Sequence, residues 1–187
     1  DACDPEQFTE MSTLELVKHC LGEGPLFTAV GLGALNDVSQ HLLRTAGFSL
    51  DRATSVSQLD LTDATHVGMV SFFAPLIREW ENNPGTLTVI EKDPKFRERS
   101  GPVEVIEQTD RLRNCDRVLI TGSTLINDTL DDVLSHCDSK APVALVGPSA
   151  SCLPDPIVDR GVDVVGSTKY CITRDQYPGI RQMIRGA

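Results

Sequence analysis

No stretch of this chain is apolar for long enough to span a bilayer: the longest nearly unbroken apolar run, Val67 to Ile77, is about half of the ~20 residues a spanning helix needs. The start, Asp1-Ala2-Cys3-Asp4-Pro5, lacks both a basic region and an apolar one, so a signal peptide is not expected. The missing initiator Met points to a processed, truncated or tagged chain, and the expected address is cytoplasmic. An excess of positive charge is lacking too. With 17 Lys and Arg against 27 Asp and Glu, the net charge is −10, a balance that repels phosphate backbones and excludes nucleic acid as a partner. The acidic excess itself is a solubility feature and names no ligand.

Local metal clamps are also missing. The six cysteines, Cys3, Cys20, Cys115, Cys137, Cys152 and Cys171, stand at least 15 residues apart, with no Cys-x-x-Cys and no Cys-x-His among them. That spacing excludes a zinc ribbon and a thioredoxin-like site. Cys115 and Cys137 read as packing residues; Cys152 and Cys171 lie near expected strand ends, where either packing or ligation is open. No histidine takes a role: His66 opens a strand at its amino end, and His19, His41 and His136 fall on helices.

What is present is a globular composition, 40% hydrophobic and 24% charged over 187 residues, enough for one domain with a real core. From residue 66 onward, short β-branched runs alternate with longer amphipathic segments, the pattern of βα units. Strands are expected at His66 to Phe72, Leu87 to Glu91, Arg117 to Thr121, Val143 to Val146 and Val162 to Val165, with a weaker one at Val103 to Ile106. Helices are expected at Pro75 to Asn82, Leu125 to His136, Pro154 to Asp159 and Tyr177 to Ile184. The strands are continuously apolar, so both sheet faces are covered, and the fold class is α/β: a doubly wound, Rossmann-like parallel sheet. Two extra amino-terminal helices, Thr13 to Leu21 and Thr28 to Ala46, precede it, and a polar connection runs over Phe48 to Ala64. The whole chain, 1–187, reads as a single Rossmann-like domain: a helical segment and connection over 1–60, then a βα core over 61–187.

In such a sheet, ligands bind beyond the carboxyl ends of the strands, near the point where strand order reverses. Gly31-Leu32-Gly33 is not a dinucleotide fingerprint, because it follows no strand and lacks the third glycine; it reads either as close helix packing or as a site contribution through Asn36. The first βα turn, after Ser71 and Phe72, carries no glycine loop, which argues against ordinary NAD binding. Glu91 ends the second strand where doubly wound folds place a ribose-binding acid, and it also fits a solvated strand-end acid. The densest signal is Thr121-Gly122-Ser123-Thr124-Leu125-Ile126-Asn127: strand, hydroxyls, glycine and amide in sequence, suited to a polar ligand or to helix capping. Gly147-Pro148-Ser149 repeats the device on the next strand.

Four segments together resemble the "putative heavy-metal chelation" family. They are Gly31-Leu32-Gly33-Ala34-Leu35-Asn36, Val67-Gly68-Met69-Val70-Ser71-Phe72-Phe73, Ile120 to Leu130, and Leu145-Val146-Gly147-Pro148-Ser149-Ala150, with Arg160 to Ser167 closing the pattern. The resemblance implies a Rossmann-like domain that follows a small domain like the amino-terminal domain of enolase, with a site between the two. Here the companion domain is expected to be absent or truncated, since so little chain precedes Gly31.

The functional expectation is a small-ligand or metal-complex binding domain in metal handling, its cofactor a metal ion or metal chelate. The candidate ligand-binding residues are Asn36, Ser71, Phe72, Glu91, Thr121, Gly122, Ser123, Thr124, Asn127, Gly147, Pro148 and Ser149, and no catalytic residue is assigned. Oxygen-rich groups of this kind suit hard cations or the polar rim of a chelate. The alternatives are a nucleotide- or S-adenosylmethionine-dependent enzyme, and a subunit whose site a second copy or a partner chain completes. A membrane partner is not expected.

Overall fold

Strand β1 (His66–Val70) is the third of seven strands in a sheet ordered β3-β2-β1-β4-β5-β6-β7 in a computed structural model that describes residues 4–21, 24–47, 59–80, 83–96, 103–167 and 171–174. The other strands are β2 (Thr86–Ile90), β3 (Val103–Ile106), β4 (Arg117–Thr121), β5 (Val143–Val146), β6 (Val164–Gly166) and β7 (Cys171–Thr173). β1 to β6 pair in parallel, and β7 adds to β6 antiparallel, an edge strand that three residues of sequence do not announce. The chain moves outward from β1 through β2 to β3 and then returns to lay β4 on the other side of β1. The sheet therefore has its switch point between β1 and β4.

Alternate residues of each strand enter one of two apolar layers, as the period of two requires. Val67, Met69, Leu87, Val89 and Leu119 pack with Leu76, Ile77 and Trp80 of helix α3 (Ala74–Trp80). Val118, Ile120, Val143, Leu145 and Val165 pack on the opposite face, with Leu130 and Val133 of α4 (Leu130–Ser135) and Ile157 and Val158 of α5 (Asp155–Val158). The expected doubly wound parallel sheet is what forms. Among the described residues no helix is long and apolar enough to cross a membrane.

Several boundaries differ from those the sequence implies. β1 ends at Val70 rather than Phe72, because Ser71 takes a left-handed φ of 75° that a strand cannot continue through. The helix expected over Leu125–His136 starts only at Leu130: residues Gly122–Leu125 form a 3-10 turn, and Asp128 has a φ of 55° that no right-handed helix accommodates. β6 begins at Val164, two residues later than expected. The expected helix at Tyr177 to Ile184 and residues 48–58 of the connection lie outside the described residues.

The amino-terminal helices form as α1 (Thr13–Val17), which tightens into a 3-10 turn over Lys18–Leu21, and α2 (Pro25–Thr45). Ser12 and Glu15 cap α1 reciprocally, and Pro25 starts α2 at the position where its missing N–H costs nothing. α2 crosses the 3-10 turn so closely that a Cβ on Gly31 would lie 2.3 Å from the Cys20 nitrogen. Gly31 is therefore a packing glycine, while Gly33, with nothing within 4 Å of a built Cβ, is open.

Candidate functional site

The sheet register sets the site. Val70 pairs with Ile90 on one side and Ile120 on the other, and Thr121 pairs with Val146, so the residues that follow, Glu91, Ser71, Thr121 and Gly147, stand in one row along the carboxyl edge. Ser71 is at the switch point. Its N–H continues the ladder to the Ile90 carbonyl at 2.9 Å while its φ of 75° turns the chain off the sheet. Its hydroxyl makes no hydrogen bond to a described residue. A non-glycine residue in the left-handed region costs of order 1 kcal/mol and is typical of sites held in place by their surroundings.

The β4 turn is organised by its own hydroxyls. Thr121 accepts the Ser123 N–H at 3.4 Å and the Ser123 hydroxyl at 3.2 Å, and the buried Thr124 hydroxyl donates back to the Thr121 carbonyl at 2.7 Å. Thr124 is thus a structural residue whose hydroxyl has no freedom to meet a ligand. The Asn127 amide nitrogen faces the carbonyls of Ser123 and Thr124 at 3.3 and 3.2 Å and the Thr129 hydroxyl at 2.6 Å, so it too closes the turn. Ser123 remains exposed beside Thr121.

The two turns lean on each other. A Cβ on Gly122 would meet the Ala150 nitrogen at 2.9 Å and Ser149 Cβ at 3.1 Å, so Gly122 is required by the contact between the β4 and β5 turns and not by its φ. Gly147 does require its glycine: at φ 115° it turns the chain while its N–H bonds the Gly166 carbonyl at 2.9 Å. α2 holds the same turn from outside. Asn36 Nδ2 donates to the Pro148 and Ser149 carbonyls at 3.3 and 3.4 Å, and Gln40 Nε2 to the Ser151 carbonyl at 3.1 Å. Asn36 therefore braces the site's wall through its amide; its Oδ1, like Gln40 Oε1, is buried without a partner among the described residues.

At the β2 end, Glu91 divides its carboxylate between the Phe72 N–H and the Asp93 N–H, each at 3.0 Å. It ties the ends of β1 and β2 together, which occupies the acid that the sequence offered for ribose. Phe72 stacks on Phe96, ring centroids 4.3 Å apart and 14° from parallel, and Lys95 Nζ lies over the Phe96 ring, 4.7 Å from its centroid.

The sequence-derived residues thus sort by position. Ser71, Thr121, Ser123, Gly147 and Ser149 converge on the edge, whereas Thr124, Asn127, Glu91, Phe72, Asn36 and Gly122 build and brace it. Pro148 lies between, exposed, with its carbonyl held by Asn36 and Ser151. Sequence reasoning missed Gln40, whose spacing of four from Asn36 puts both amides on one helix face.

The profile of the DUF364 family, described as putative heavy-metal chelation, matches residues 55–178. The chain belongs to this family. An uncharacterized protein of Methanocaldococcus jannaschii is 30% identical over 141 residues, covering 75% of this chain and 53% of the relative, so the chain spans about half the length of the curated relative it matches. A crystal structure of a family member of unknown function from Pyrococcus horikoshii superposes with a TM-score of 0.69 at 20% identity, covering 89% of this chain and 65% of that one. A member of unknown function from Desulfitobacterium hafniense gives 0.66 at 17% identity, covering 88% and 66%. At these identities the two structures show a shared fold.

The family's description makes bare metal binding the property to test against the donor set. Among the described residues no group of three or more His, Cys, Asp or Glu could hold a metal ion. Burial, with smaller contributions from Cys137 and Asp116, pushes the Cys115 thiol up to about 12, and burial takes Cys137 and Cys152 to about 11 each. These thiols keep their protons at neutral pH, so a metal would have to displace those protons to bind. The described residues do not assemble a donor set for a naked soft metal.

Proposed function

We propose that this chain binds a metal as a complex with a small organic chelator, at the carboxyl edge between β1, β4 and β5. The observation that carries this is the composition of the edge: Ser71 and Thr121 end neighbouring strands, the Ser123 hydroxyl bonds Thr121 Oγ1, the Glu91 carboxylate in the same row is held by two backbone N–H groups, and among the described residues no group of three or more His, Cys, Asp or Glu could hold a metal ion. Such hydroxyls hydrogen-bond the oxygen-rich rim of a chelate while the chelator keeps the coordination sphere. Glu91, Asn36 and Gln40 hold the edge's backbone in register, so little ordering is left for the ligand to supply. A cytoplasmic address suits cysteines such as Cys20, Cys115 and Cys137, which stand as thiols among the described residues.

Titration calorimetry tests it with the neutral iron(III) complex of acetohydroxamate against zinc and cadmium ions. The complex is expected to bind, and Ser123→Ala to weaken it by about tenfold with unchanged melting. Bare ions that bind as tightly as the complex, or a complex that gives no heat, would discard the proposal.

The sheet order favours one rival, a nucleotide- or S-adenosylmethionine-dependent enzyme, since β3-β2-β1-β4-β5-β6 is the dinucleotide-binding order. Against it stands the Glu91 carboxylate, already given to two backbone N–H groups. A thermal-shift panel of NAD, S-adenosylmethionine and ATP decides, because a ligand at a hundred times its dissociation constant stabilises by about 2.7 kcal/mol. Completion of the site by a second copy or a partner chain is a further proposal; a monomer by light scattering that binds the complex alone removes it.

A further inference from the structure

Outside residues 11–42, Phe73 is the one exposed large hydrophobic side chain among the described residues, with 54% of its surface in water. Its place is fixed from both sides. Before it, Phe72 is pinned by the Glu91 carboxylate and the Phe96 ring; after it, the Phe73 carbonyl accepts the Ile77 N–H at 3.2 Å and starts α3. The neighbouring rings are spent: Phe72 packs on the core and on Phe96, and Lys95 lies over Phe96. Phe73 is two residues beyond Ser71, at the switch point, in an edge row that carries the polar side chains of Ser71, Thr121 and Glu91. An anchored backbone thus holds one half-exposed aromatic side chain next to a polar edge.

We propose that an aromatic part of the chelator lies on Phe73, so that the site selects metal complexes of aromatic chelators over aliphatic ones; this rests on the reading of the carboxyl edge as a chelate site. Ring contact of this kind adds to simple area burial, and it is lost when either ring is absent. An aliphatic chelate of equal charge touches the same hydroxyls and leaves the ring in water.

The neutral iron(III) complexes of benzohydroxamate and acetohydroxamate form a matched pair, with one metal, one charge and one coordinating group, differing in the phenyl rings. By calorimetry the native chain should bind the benzohydroxamate complex about tenfold tighter, Phe73→Ala should bind the two alike, and Phe73→Trp should restore the preference. Because the single tryptophan, Trp80, is buried, the Phe73→Trp chain also reports directly: its new emission should be quenched by the aromatic complex. A Phe73→Ala chain that keeps the preference, or that loses affinity for both complexes equally, overturns the inference. Native binding of both complexes with equal affinity overturns it while leaving the chelate site standing. If neither complex binds the native chain, the chelate site falls, and this inference with it.

Discussion

Replacing Gly122 by alanine adds one methyl group at the contact between the β4 and β5 turns. That methyl would lie 2.9 Å from the Ala150 nitrogen, 3.1 Å from Ser149 Cβ and 3.3 Å from the Ser149 carbonyl carbon. Two of these three are backbone atoms, and the turn they belong to is held by the Gly147–Gly166 bond and by Asn36 and Gln40, so it cannot simply step aside. Overpacking of this kind costs about 1–3 kcal/mol. For a chain of this size each kcal/mol moves the melting temperature by roughly 2–4 °C, so a fall of roughly 2–12 °C is expected. Gly33→Ala is the internal comparison: the helix interior there has open space, and the substitution should stabilise by about 0.5–1 kcal/mol. Urea unfolding followed by circular dichroism measures both. A Gly122→Ala chain as stable as the native one would refute the turn-on-turn contact.

Thr121→Ala should cost about 1 kcal/mol, because Thr121 caps the turn after β4, while Ser123→Ala stays within about 0.5 kcal/mol of native in the same urea unfolding. Cys115, Cys137 and Cys152 should resist alkylation at pH 8 until the chain is unfolded, as read by peptide mass spectrometry. Because burial holds their folded-state values above the ordinary thiol range, their contribution is complete below the unfolded value and is lost as the pH rises through about 11 to 12. Denaturant midpoints should therefore fall over that alkaline range. Partial burial raises the Asp116 carboxyl, and the Thr65 N–H and hydroxyl and the His66 N–H outweigh it, leaving the group below its ordinary value. Its contribution is present above the unfolded carboxylate value and is lost as the pH falls through the lower folded one, and Asp116→Ala should flatten that acid limb of the stability curve.

The strands were legible because their residues are apolar on both faces: Val67 to Val70 and Val118 to Ile120 need cover above and below, and only a parallel sheet between helices supplies it. Gly31 was legible as a packing residue, since it stands in a helix with no strand before it. The course of the chain after β4 was not. Thr121, Thr124 and Asn127 read equally as ligand groups or caps, and only the pairing of each hydroxyl and amide with a particular carbonyl separates them. The left-handed turn at Ser71 was invisible for a similar reason: serine carries no conformational signal of the kind glycine does, and the strain is imposed by β1 ending against β2 and α3. The role of Glu91 in tying two strand ends, and that of Asn36 in bracing a turn more than a hundred positions away, depend on contacts that no local spacing encodes.

On the proposed reading a metal complex, and not a bare ion, is held at the carboxyl edge. Gallium(III) is diamagnetic, so its hydroxamate complex can be titrated into nitrogen-labelled protein and followed amide by amide. Shifts should concentrate at Ser71 to Phe73, Thr121 to Ser123 and Gly147 to Ser149. Shifts absent from that edge, or cadmium ions alone moving the amides around Cys115, Cys137 and Cys152, would contradict it.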